Sequence, residues 1–341
     1  MLRIGIIGAG RIGRVHGESV STKVKDAVIA AVADPYMNED IIKWAESYNI
    51  DKRYKDYREI LSDQSIDAVL ICSSTDTHSA ISIEAAKAGK HIFCEKPVDH
   101  DINKIMEVIK VLREYPVKYQ VGFNRRFDHN FMAAKSAVQS GKIGKINIIK
   151  ITSRDPAPPP VEYIKVSGGL FLDMAIHDFD MARFIAGAEA EEVFAYGANL
   201  VDPAIGKAGD IDTAIISMKM SNGALAVIDN SRKSAYGYDQ RLEVFGSLGQ
   251  VAIGNDTGAK YSLSTAEGVI SDKPLHFFLE RYMDAYAREI SQFIDSVEND
   301  KETPVGITDG LMDVVTGLAA KKSIEINAPV KIKDILSAYG L

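Results

Sequence analysis

The chain has 341 residues, 46% of them hydrophobic, enough for two domains that each bury a core. Its 40 Lys and Arg against 47 Asp and Glu leave a formal net charge of −7 with basic residues scattered, which argues against nucleic acid or an anionic membrane as partner. No apolar run approaches the roughly 20 residues that span a bilayer, the opening MLRIGIIGAGRIGR lacks the regions of a secretory leader, and Cys72 and Cys94 read as buried thiols of a reducing compartment, so a cytoplasmic location is expected.

Short β-rich runs come first, separated by amphipathic stretches: LRIGIIG at 2–8, AVIAAVA at 27–33, DAVLICS at 67–73, HIFCEK at 91–96 and VKYQVGF at 117–123. The alternation predicts parallel strands with crossover helices, and the nearly unbroken apolar character predicts a sheet covered on both faces. Gly8-Ala9-Gly10-Arg11-Ile12-Gly13 follows the first strand with GxGxxG spacing, and Asp34 closes the second. Gly8 permits a tight turn, Gly10 lets a pyrophosphate approach the backbone and Gly13 allows close helix packing, while the helix N-terminus supplies N–H donors. Asp34 is expected to accept from the adenosine ribose and to repel a 2′-phosphate, which favours NAD over NADP. The expected first domain is therefore an α/β Rossmann domain over 1–122.

After Phe123 the pattern changes. Residues 128–141 read as a helix and KINIIKITSR at 145–154 as a strand that stops before Pro156, Pro158, Pro159 and Pro160. Further β-rich segments at about 191–200, 212–220, 224–230, 240–246 and 249–254, joined by short turns, predict a large antiparallel sheet. Two long helices, near 276–298 and 308–326, end the chain. A sheet covered on one face leaves the other free to pair with a second subunit. The expected second domain, 123–341, is thus α+β with an open-faced antiparallel sheet.

Within it, GGLFLDMAIHDFDMARF at 168–184 is mostly apolar yet carries Asp173, His177, Asp178 and Asp180, and reads as one buried helix with Asp173 and His177 stacked four apart. Such a pair can be an internal His/Asp network, a metal site or a catalytic pair; no third ligand of suitable spacing appears, so no metal is expected. Glu95-Lys96-Pro97 stands at the end of a parallel strand, where such sheets bind ligands.

With the GxGxxG turn, the EKP and the Gly-Gly-x6-His element together, the whole chain resembles the glucose-fructose oxidoreductase, inositol dehydrogenase and MocA-like family. SRDPAPPP followed by KVSGGLFLDMAIHDFDMARF is most similar to its myo-inositol 2-dehydrogenase branch. The resemblance implies a homotetramer assembled through the open sheet, and Lys96, Asp173 and His177 as catalytic groups. Ser73-Ser74-Thr75-Asp76-Thr77-His78 replaces the TPNxxH of many relatives, so Ser73, Ser74, Thr75 and His78 join Glu95 and Lys96 on the cofactor side.

The implied chemistry is oxidation of a ring hydroxyl of myo-inositol to the ketone, scyllo-inosose, with hydride passing to NAD. An imidazole, with its ordinary pKa of about 6.5, suits His177 as the general base. Asp173 would favour the imidazolium, and Lys96 would hold the reacting oxygen. Arg126, Asp155 and Tyr236, and behind them Asn124 and Tyr238, are candidates for the polyol hydroxyls. Another inositol isomer or an aldose as substrate, a redox-neutral glycosidase that retains NAD, and a non-catalytic NAD-sensing regulator are the competing readings.

Overall fold

The computed structural model describes residues 1–341. The strands are β1 (Leu2–Ile7), β2 (Ala27–Ala33), β3 (Lys52–Tyr54), β4 (Ala68–Ile71), β5 (His91–Glu95), β6 (Tyr119–Gly122), β7 (Ile146–Arg154), β8 (Ala190–Ala198), β9 (Thr213–Met220), β10 (Leu225–Ser231), β11 (Asp239–Gly246), β12 (Gly249–Ile253), β13 (Ser262–Thr265), β14 (Gly268–Ser271) and β15 (Val330–Lys331). The chain divides into two compact units, Met1–Phe127 with Met283–Val314, and Asp128–Tyr282 with Val315–Leu341.

In the first unit six parallel strands lie in the order β3-β2-β1-β4-β5-β6. This order reverses direction between β1 and β4, which places a crevice beyond their carboxyl ends. The five strands read from the sequence are present; β3, only three residues of KRY, is too short and polar to carry a β pattern. Polar caps start the crossover helices: the Asn38 side chain accepts from the Asp40 and Ile41 amides, and the Asp101 side chain from the Asn103 amide.

This unit is discontinuous, whereas the sequence division falls once, near residue 122. Helix Met283–Glu298 presents Ile290, Phe293 and Ile294, spaced i, i+3, i+4, to a core containing Leu2, Ile4, Ile6, Leu70 and Phe93. A stripe that fits this core assigns the helix to the first unit. The single helix expected over 276–298 is in fact two, Phe278–Arg281 and Met283–Glu298, interrupted at Tyr282, where φ −116° and ψ 11° leave the helical region.

In the second unit seven strands form a sheet in the order β12-β11-β7-β10-β9-β8-β15. Its neighbouring strands are antiparallel, as expected, except at one place, where β7 and β10 are parallel. The cause is the long helical connection between β7 and β8, which lets β8 run the same way as β7; the β8-β9-β10 meander then returns a third strand in that direction. Helix Ile176–Ala186 packs against β7 on the covered face. On the other face Phe245, Ile148 and Leu225 line up in register across β11, β7 and β10, with Tyr196 opposite Ile215 across β8 and β9, all of them exposed.

Candidate active site

At the carboxyl end of β1 the chain turns at Gly8 and enters helix Arg11–Lys23, whose N-cap, Gly10, supplies no side-chain cap. The N-cap thus offers the first-turn amides no side-chain acceptor of its own, which fits the pyrophosphate of a dinucleotide. Arg11 is exposed, Ile12 half-buried and Gly13 buried under the turn. Asp34, buried at the end of β2, accepts from the Ala9 amide at 2.7 Å and from the Tyr36 amide at 2.8 Å. Its carboxylate therefore braces the glycine turn, a role that spacing does not reveal, and each oxygen keeps acceptor capacity for a ribose hydroxyl.

The hydroxyl-rich segment after β4 is ordered by its own hydrogen bonds. Ser73 Oγ lies 2.7 Å from Thr77 Oγ1, and Thr77 Oγ1 donates to the Ser74 carbonyl at 2.7 Å. Ser74 is exposed and Thr75 half-buried at the start of helix Thr75–Lys87. His78 is turned inward, with Nδ1 2.8 Å from the Pro97 carbonyl and Nε2 3.0 Å from the Ser73 carbonyl. Two acceptors require both ring nitrogens to carry hydrogen. Burial opposes that charge, but the Cys94 sulfur and the two carbonyls outweigh it and push His78 up to about 9. The ring thus clasps the loops after β4 and β5 to each other.

Glu95 also points inward. It is buried, with Oε1 2.6 Å from His16 Nε2, and Oε2 accepts from the Lys96 amide at 3.3 Å. A Cβ on Gly122 would come within 3.1 Å of this carboxyl, so glycine there makes room for it. Lys96 itself is half-buried. Arg126 is drawn into the first unit, donating to Asp309 Oδ1 at 2.9 Å and the Pro304 carbonyl at 3.3 Å; Asn124 is buried.

In the second unit the stretch 168–184 is not one helix. Gly169–Asp173 ends at Met174, and Ile176–Ala186 begins after Ala175. The Met174 and Ala175 amides both donate to the Leu170 carbonyl, at 3.0 and 2.9 Å, while the His177 amide donates to the Met174 carbonyl at 3.3 Å. Asp173 therefore closes one short helix and His177 opens the next. The i, i+4 spacing implies one continuous helix because the apolar pattern runs unbroken across the joint. Asp173 and His177 are half-buried, whereas Asp178 and Asp180 are buried, and Asp178 Oδ2 accepts from Asn230 Nδ2 at 2.8 Å.

The surroundings of Asp173 contain groups that sequence reasoning missed. Oδ1 accepts from the Tyr163 hydroxyl at 2.9 Å and Oδ2 from Arg232 Nη1 at 3.2 Å, while Arg232 Nη2 lies 3.6 Å from Asp210 Oδ2. Arg232 sits just past β10, 59 residues from Asp173, so only the folded chain brings the two together. Asp155 is half-buried and its amide donates to the Ser231 carbonyl at 2.9 Å. Tyr236 is exposed; its hydroxyl donates to Asp239 at 2.6 Å and accepts from Arg154 at 3.1 Å, beside a cavity lined by Thr213, Ile215, Asp229, Ser231 and Lys233. Tyr238 is buried, edge-on to Phe277 and Tyr282, as a core aromatic.

Comparison with known proteins follows these two units. Residues 2–123 match the oxidoreductase family model described as an NAD-binding Rossmann fold, and residues 131–252 match the GFO/IDH/MocA C-terminal domain. The chain is 48% identical to the myo-inositol 2-dehydrogenase of Thermotoga maritima over 336 residues, covering 98% of this chain and 100% of that protein. It is 46% identical to the inositol 2-dehydrogenase of Rhizobium meliloti over 334 residues, covering 97% and 99%. Among solved structures, scyllo-inositol dehydrogenase from Lactobacillus casei with bound NAD(H) and scyllo-inositol is similar with a TM-score of 0.90 at 32% identity, covering 98% of this chain and 99% of that one.

Proposed function

Because the chain belongs to the GFO/IDH/MocA family of oxidoreductases with an NAD-binding Rossmann domain, we propose that it oxidises a ring hydroxyl of myo-inositol to the ketone. The observation that carries this reading is the near-full-length similarity, at 48% and 46% identity, to proteins named as inositol 2-dehydrogenases. Lys96, Asp173 and His177 are all present, which speaks against a non-catalytic regulator.

Bound NAD supplies the hydride acceptor. The protein's part is to hold the polyol and remove the hydroxyl proton as the hydride departs. His177 Nε2 or Nδ1 takes that proton, a contribution of roughly 100- to 10,000-fold for a positioned base. The Asp173 carboxylate favours the imidazolium that results, and the Lys96 ammonium binds the reacting oxygen and stabilises negative charge on it. Gly8, Gly10, Arg11, Ile12 and Gly13 receive the pyrophosphate, Asp34 the ribose, and Ser73, Ser74, Thr75, His78 and Glu95 shape the nicotinamide end. Arg126, Asp155 and Tyr236 are the further polyol contacts. In this division of labour the first unit holds the cofactor and supplies Lys96 and Arg126, and the second supplies the remaining substrate groups and the assembly face.

A homotetramer in the cytoplasm completes the reading. The exposed row of Phe245, Ile148 and Leu225 supports burial of the open sheet face against a second copy, and the buried free thiols Cys72 and Cys94 support a reducing compartment. Light scattering after size exclusion should give four chains per particle; a monomer would remove this part of the proposal.

Steady-state NADH formation with myo-inositol, scyllo-inositol and glucose, each with NAD and with NADP, tests the activity. Myo-inositol with NAD should show the highest kcat/KM. A preference for scyllo-inositol, the second reading that the L. casei neighbour favours, would move the substrate but keep the chemistry, and no reduced cofactor with any of the three would overturn the proposal.

A further inference from the structure

Arg232 is 1% exposed, and a buried guanidinium is costly unless paired. Its counter-ions are Asp173 at 3.2 Å and Asp210 at 3.6 Å, yet Nη1 makes its one side-chain hydrogen bond, and Nε and Nη2 have no hydrogen-bond partner. As a packing element this is a poor solution, since each buried unmet donor costs about 1–3 kcal/mol. A cation here is better explained by what it does to the two carboxylates than by what it adds to stability.

Both carboxylates belong to the Gly-Gly segment. Asp210 Oδ1 accepts from the Leu170 amide at 3.0 Å, at the start of helix Gly169–Asp173, and Asp173 ends the same helix. Arg232 spans the two. The sheet sets this arrangement: Asn230 and Arg232 alternate with Ser231, so they face the same side. Asn230 holds Asp178 at the start of the following helix, and Arg232 holds Asp173. The end of β10 therefore grips the chain on both sides of His177.

We infer that Arg232, braced by Asp210, is a positioning residue that fixes the Asp173 carboxylate for proton transfer at His177. This rests on the proposed roles of Asp173 and His177. Arg232 faces the carboxylates of Asp173 and Asp210 and, through Asp173, the hydroxyl of Tyr163. Nothing in the family resemblance or in the sequence spacing singles out Arg232.

The test is the pH dependence of myo-inositol oxidation by Arg232→Gln, Arg232→Lys and Asp210→Asn, each also in an Asp173→Asn background, with melting temperature and NADH binding confirming folded enzyme. Arg232→Gln should lower kcat about 10- to 100-fold, as displaced catalytic groups do. It should also move the acid limb of kcat/KM upward by about one pH unit, because loss of a nearby cation eases protonation of the base. Arg232→Lys should restore the acid limb and part of kcat. Asp210→Asn keeps the acceptor for the Leu170 amide but removes a negative charge, so its acid limb should move downward. In Asp173→Asn the further loss of kcat should largely vanish, whereas the charge effect on the acid limb persists.

The inference is overturned if Arg232→Gln has normal kcat and pH profile, or loses the same factor with and without Asp173. Should Arg232→Gln not fold, Asp210→Asn decides, and an unmoved acid limb there overturns it equally. If Asp173→Asn alone keeps normal kcat, the role of Asp173 has failed instead, whatever the Arg232 variants do.

Discussion

The glycine turns at Gly8 and at Gly168-Gly169 are filled in different ways. At Gly8 the backbone is left-handed with φ +97°, and a Cβ would lie 2.7 Å from the Cys72 carbonyl. A Cβ on Gly13 would lie 2.0 Å from the Gly8 carbonyl oxygen, whereas one on Gly10 would meet nothing within 4 Å. The turn is packed tightly against its own chain and open only at the middle glycine. Gly168 and Gly169 are also left-handed, at φ +85° and +82°, but a Cβ on Gly169 would lie 2.8 Å from Asp210 Oδ1. At the first turn Asp34 takes the Ala9 amide and the space beside the middle glycine stands open, whereas at the second the space beside Gly169 is filled by Asp210. What surrounds the missing Cβ, more than the glycine, tells which kind of turn it is.

That contrast can be broken by adding one methyl group at a time. Gly13→Ala should do the most damage, because its methyl overlaps backbone that cannot move without opening the turn: a loss of about 1–3 kcal/mol in chemical denaturation, together with NAD binding. Gly169→Ala should cost about 1–2 kcal/mol from its left-handed backbone, with a drop in kcat as Asp210 is displaced and with NAD affinity unchanged. Gly10→Ala should do the reverse, keeping stability while weakening NAD about tenfold, or about 1.4 kcal/mol, in a fluorescence titration. If Gly10→Ala lowered stability and left NAD binding intact, the open middle glycine would not be the cofactor contact.

The same contrast explains what was legible in the sequence. Five of the six Rossmann strands are legible because they are largely apolar, unlike the short, polar β3, and the GxGxxG turn because its parts are adjacent in the chain. The discontinuous first unit could not, since Ile290, Phe293 and Ile294 declare an apolar stripe but not the core that receives it. At the second turn Asp173 and His177 were found by spacing, although a joint at Met174 and Ala175 divides the helix that the spacing implied. Tyr163, Asp210 and Arg232 carry no such spacing signal, because they reach this segment from a short helix, a loop and the chain just past β10. Glu95 was placed beside the cofactor by its neighbour Lys96, yet alternation along β5 turns its side chain to His16.

Buried carboxyls sharpen the comparison between the units. Asp212, fully buried, accepts from the Leu200, Val201 and Asp202 amides at 2.8, 3.0 and 3.0 Å and from Thr213 Oγ1 at 2.9 Å. Burial works upward on it, but these donors outweigh burial and hold its carboxyl below the usual range. Its contribution to stability is therefore present above the unfolded value of 3.8 and is lost as pH falls.

Glu289, equally buried in the first unit, has no hydrogen-bond partner on either carboxyl oxygen. Burial, and then the charge of Glu95, raise it well above its ordinary value of 4.5. Above that value the native state binds more protons than the unfolded chain, so the stability this group contributes is fully present below 4.5 and declines as pH rises through the folded value. Glutamine copies the neutral carboxyl in shape and cannot ionise. Glu289→Gln should match the natural protein in denaturation at pH 4 and exceed it by about 1 kcal/mol at pH 8. A variant that instead lost stability as pH rose, relative to the natural chain, would mean that Glu289 is ionised in the fold and that a cation or donor reaches it there.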